Sequence, residues 1–116
     1  MTIEEIVIDY LTSNLPAGVS VSGFVPSPMP ANFVTVEKTG SSEQNQIRNA
    51  TIAVQSWGKT QYEAMTLNEN VKDVLRGLPE LPVVSACKCS TDYNYTDTTT
   101  NRSRYQALFK VVYYSA

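Results

Sequence analysis

One stretch constrains the fold more than any other: Thr60-Gln61-Tyr62-Glu63, running on to Gly77-Leu78-Pro79. Thr60 and Glu63 stand at the spacing of a capping box, in which the hydroxyl accepts from the third amide and the glutamate reaches back. Ala64, Leu67, Val71, Val74, Leu75 and Leu78 then recur at helical spacing. Gly77 occupies the place of a left-handed C-cap, and Pro79 lies just beyond it. Glu69, Lys72, Asp73 and Arg76 fill the opposite side and read as a solvated charged face. A helix with one apolar stripe must lay that stripe on another layer, so the remaining chain has to supply one.

It does so mostly with strands. A first helix is predicted over 2–13, where Thr2 and Glu5 form another capping box and Ile3, Ile6, Val7, Tyr10 and Leu11 make the stripe. Asn14 and Pro16 end it. Val19, Val21, Gly23 and Val25 alternate with Ser20, Ser22 and Phe24, which predicts a strand over 19–25. Pro26, Pro28 and Pro30 close it. Further strands are predicted over 33–39, 50–57, 83–89 and 104–114. The order is α-β-β-β-α-β-β, an α+β fold of two layers with a mainly antiparallel sheet covered by two helices. At 116 residues, with no repeat or linker, residues 1–116 form a single domain. Two connections are long and polar. Residues 40–49 are too long for an ordinary hairpin loop and have little to bury, so they are expected to be mobile until a partner orders them. Residues 90–103 invite the same reading.

The chemistry is defined by what is missing. Nine basic and eleven acidic residues leave a net charge of −2, which gives no bulk-charge affinity for nucleic acid. A composition 42% hydrophobic is too apolar for a disordered tail, yet no apolar run reaches the ~20 residues of a membrane span. The opening residues carry Glu4, Glu5 and Asp9 and no basic group, unlike a signal peptide. Histidine is absent, so no imidazole can serve as base or metal ligand. Glycines 18, 23, 40, 58 and 77 make no phosphate-binding loop. Cys87 and Cys89 share a strand face, supply too few ligands for zinc, and read as reduced, packed thiols suited to a cytoplasm. Asp92-Tyr93-Asn94 with Asp97 lacks the glycine and glutamate of a calcium loop. No metal, cofactor or disulfide is expected, and no nucleophile–base pair can be assembled. Trp57 is expected to pack strand against helix, with Gly58 letting the chain turn into that helix. The tyrosines at 93, 95, 105, 113 and 114 read as packing or interface residues rather than base-stacking ones.

Four segments, in order, carry a resemblance: Phe33-Val34-Thr35-Val36-Glu37-Lys38-Thr39-Gly40, Ile52-Ala53-Val54-Gln55-Ser56-Trp57-Gly58, Thr60-Gln61-Tyr62-Glu63-Ala64, and Arg104-Tyr105-Gln106-Ala107-Leu108-Phe109. With a helix before them they resemble the tail-terminator and tail-completion (minor structural) proteins of long-tailed bacteriophages, over nearly the whole chain. The resemblance implies a non-enzymatic virion protein made in the bacterial cytoplasm and placed at the head–tail junction. Such a subunit forms a ring, typically a hexamer, that caps the tail tube, ends its polymerisation and offers a surface for head joining. The implied partners are other copies of the chain, the major tail tube protein and a head-completion or connector protein. DNA passes through the lumen without specific binding, and no membrane is involved. In such proteins the long middle loop orders on assembly. Position and polarity then select the sheet edges and the two polar connections as assembly surfaces, with Lys38, Gly40, Glu43 and Arg48 around the first, and Tyr93, Asp97 and Arg102 around the second. Two other functions fit the sequence: a head-completion or connector protein of the phage neck, and a small nucleic-acid-binding or regulatory domain. The segment 26–30 has no assigned role.

Overall fold

The computed structural model describes residues 2–114. Its elements are α1 (Ile3–Asn14), β1 (Ser20–Ser22), β2 (Phe33–Gln44), β3 (Ile47–Gly58), α2 (Gln61–Leu75), a 3-10 turn (Leu78–Glu80), β4 (Val84–Asn94) and β5 (Ser103–Tyr114). The five strands make one sheet in the order β1-β2-β3-β5-β4. β1 runs parallel to β2, and every other neighbouring pair is antiparallel. Both helices lie on one face. Ile3, Val7 and Leu11 of α1 and Leu67, Val71 and Leu75 of α2 bury against Val34, Val36, Ile52, Val54, Phe109 and Val111 of the sheet. The α+β order and the two-layer design are those the sequence predicts.

Local departures have physical causes. Thr2 and Glu5 complete their capping box, and the Thr2 bonds hold the Glu5 carboxyl below its ordinary range. At α2 only half of the box forms: Thr60 accepts from the Glu63 amide, without a return bond from the glutamate. Gly77 is not a left-handed cap. Its φ is −91° and its ψ is 0°, and it leads from α2 into the 3-10 turn. A Cβ there would sit 2.8 Å from the Tyr10 hydroxyl, the far end of a side chain that can move, so the position does not demand glycine. The predicted strand over 19–25 shrinks to three residues, since the chain leaves the sheet after Ser22 and crosses over to begin β2 in the same direction.

The largest correction concerns residues 40–49. They are not a loop. β2 and β3 continue, pair by pair, to a two-residue turn at Asn45 and Gln46, whose φ values are 53° and 69°. Positive φ at both central residues matches the right-handed twist of a hairpin. The first residues of β3 are held on both sides, by β2 and by β5, out to Ile47 opposite Tyr114. Backbone pairing orders this arm although its side chains remain exposed. Likewise β4 runs through Tyr93 to Asn94, leaving only residues 95–102 as a loop.

Candidate assembly surface

Alternation along the strands puts Phe33, Thr35, Ala53, Gln55, Trp57, Arg104 and Gln106 on the face that carries no helix. Trp57 therefore does not pack strand against helix. It stacks on its register partner Phe33, ring centroids 5.1 Å apart and 14° from parallel. A cover of cations keeps this pair dry. The Arg104 guanidinium lies 4.7 Å from the Trp57 ring centroid and 4.3 Å from that of Tyr95, so it is sandwiched between them. Arg102 stands over Phe33 and donates to the carbonyls of Pro30, Ala31 and Gly58, tying the 26–32 segment to the sheet. Nothing in the sequence reading assigned these two arginines to a covering role, although aromatic residues at strand ends beside arginines were a visible signal.

Next to this cluster a polar row crosses four strands. The Trp57 indole donates to Thr35 Oγ1, which donates to Gln55 Oε1; Gln55 Nε2 donates to Gln106 Oε1 at 2.7 Å, and Gln106 Nε2 to the Tyr93 hydroxyl. Thr35, Gln55, Gln106 and Tyr93 are register neighbours. The row was not legible in the sequence, because its members lie far apart in the chain and meet only through strand register.

The helix face has its own polar contact. Asn68 Nδ2 and Lys72 Nζ both donate to Asp92 Oδ2, at 2.9 and 3.2 Å. Lys72, expected on a solvated face, is thus partly enclosed, and the Asp92 bond raises its pKa. Cys87 and Cys89 are free thiols on this side of β4. Burial pushes the Cys87 thiol up to about 12 and also raises that of Cys89.

The residues selected as assembly positions fall into separate groups. Glu43 and Arg48 meet across the arm, Arg48 Nε lying 2.6 Å from Glu43 Oε2 in an exposed ion pair. Gly40 sits where the β2–β3 register shifts, and Lys38, opposite Ile52, stands apart from them. Arg48 also rims an apolar groove of about 590 Å³ lined by Ile6, Tyr10, Leu81, Pro82, Val83 and Tyr113. At the far end of the strands, Asp97 accepts from the Thr99 amide and from the Thr100 hydroxyl, and the Thr100 bond lowers its pKa. Arg102 is the internal strap described above, and Tyr93 ends the polar row. Register places the two ends eleven residue steps apart along β3, since Ile47 pairs with Tyr114 and Gly58 with Ser103.

No protein-family model and no curated protein sequence matches the chain. Among solved structures, a chain from the virion of a native gene transfer agent (GTA) particle is similar to it in fold. The TM-score is 0.73 at 12% sequence identity, and the match covers 97% of this chain and 95% of that one.

Proposed function

We propose that this chain is a structural virion protein of a phage-like particle: a tail terminator that caps the tail tube as a ring, stops its polymerisation and presents the surface for head joining. The observation that carries the reading is the end-to-end likeness of fold to a chain of a virion particle, with almost nothing left over on either side. The placement of the polar segments supports it. The arm with Gly40, Glu43 and Arg48 and the loop with Asp97, flanked by Tyr93 and Arg102, occupy opposite ends of the strands. A subunit that spans two different axial partners needs two such ends, and it needs no catalytic group.

The test is negative-stain microscopy of the concentrated protein together with complementation of a phage or prophage lacking the corresponding gene. Rings with a central hole, and tails restored to uniform length and joined to heads, are the expected result. Tails of normal length that fail to join heads in the gene's absence would instead make the chain a head-completion protein. A chain that forms no ring and leaves tail length and head joining untouched would overturn the reading.

A further inference from the structure

On the half of the open face nearer the arm the sheet lies bare. Lys88 of β4 and Lys110 of β5 stand directly opposite each other there, both exposed. Like charges in that relation destabilise a strand pair, and among the described residues neither lysine has an ion-pair partner. Leu108, two residues along β5 on the same face, is half-buried and forms an apolar floor beside them. The acid on this face, Glu37, is two strands away from Leu108.

The complementary pattern is on the other side of the same molecule. The outward stripe of α2 carries Met65, 40% exposed, then Glu69 and Asp73, at helical spacing. Among the described residues the two acids pair only with Lys72 and Arg76 of their own helix, and both carboxylates stay mostly exposed, so these pairs stabilise little. Met65 and Glu69 are about 6 Å apart along the helix. Leu108 and Lys110 are about 7 Å apart along the strand. An apolar group followed by negative charge thus matches an apolar floor followed by positive charge at nearly the same pitch.

We propose that α2 of a second copy of this chain docks on the open sheet face, Met65 on Leu108, with Glu69 and Asp73 against Lys110 and Lys88. The two patches differ, so the contact is heterologous: every copy offers one patch to each neighbour, and the contacts form a ring where the rotation between copies closes. This names the lateral interface for the ring of the preceding section and rests on the self-association proposed there.

A charge swap tests it. One variant carries Lys88→Glu with Lys110→Glu, the other Glu69→Lys with Asp73→Lys. Circular dichroism and urea midpoints check that each folds. Sedimentation at low salt is expected to show each variant monomeric at concentrations where the native chain assembles. An equimolar mixture is expected to reassemble with the two variants alternating, because both contact types are then complementary again. Should a reversed variant fail to fold, the single changes Lys110→Ser and Asp73→Asn are expected to weaken association about tenfold each. Reversed variants that assemble like the native chain, or a mixture of folded variants that stays monomeric, would overturn the interface while native rings leave the ring itself standing. Native protein that associates through these faces into open chains without rings would keep the interface and remove the capping function. A native chain monomeric at millimolar concentration would remove both.

Discussion

Two glycines in this chain look alike in the sequence and answer to different constraints. A Cβ on Gly58 would lie 2.7 Å from the Ala64 amide nitrogen and 3.0 Å from Glu63 Cβ, in the tight passage from β3 into α2. Backbone on that side cannot move without displacing the helix, so Gly58→Ala is expected to cost about 1–3 kcal/mol in urea titration. Gly77→Ala meets only the end of the Tyr10 side chain, which can swing aside. Its cost should stay within about 1 kcal/mol, offset by the loss of unfolded-state freedom. The thiols give a second residue-level expectation. With its pKa pushed up to about 12 in the folded protein, against ~8.5 for a free thiol, Cys87 binds its proton more tightly when folded. Its contribution to stability is therefore complete below about pH 8.5 and is lost as pH rises toward 12. Melting temperatures measured from pH 8 to 11 should fall, and less so in Cys87→Ala. Alkylation at pH 8 should reach exposed Cys89 well before Cys87.

Among the elements, α2 carries the clearest contrast. Leu75 is fully enclosed, and Leu75→Ala is expected to cost about 2–5 kcal/mol. Lys72→Ala should cost about 1 kcal/mol, more than a solvated surface lysine, because Asp92 loses one of its two side-chain donors and keeps only Asn68. Equal urea midpoints for Lys72→Ala and the native protein would mean that water replaces the bond. The helices were legible in the sequence because caps and apolar stripes are local, and the layer order followed from them. The strand ends were not legible. Polar, exposed residues such as Ser41, Ser42 and Gln44 carry no periodic signal, and what orders them is the pairing of β3 with both β2 and β5, a non-local fact. The same limit hid the open-face site. Trp57 and Phe33 are 24 positions apart in the chain and meet only through register, as do Gln55 and Gln106. Glu43 and Arg48, five apart across a turn, were the pair that sequence proximity could place together.

For the whole molecule, the arm separates assembly from folding. Deleting Ser42, Glu43, Arg48 and Asn49 removes two β2–β3 register pairs, shortens the β3–β5 ladder by two pairs at its Tyr113–Tyr114 end, and keeps every remaining side chain on its face. All four are exposed, so the melting temperature is expected to move by only a few degrees. In a complementation experiment the shortened protein should still form rings but leave tails of irregular length; normal tails would show that the arm takes no part in capping. The long β3–β5 ladder has one more consequence, in mechanics. Its twelve residue pairs run unbroken from Ile47 opposite Tyr114 to Gly58 opposite Ser103, with hydrogen bonds perpendicular to the strands. A pull along the strands, from the arm toward the 95–102 loop, strains all of those bonds together in shear instead of opening them one at a time like a zip. The subunit is therefore stiffest along the direction that joins its two ends, and softest where force would peel β4 or the short β1 sideways from the sheet.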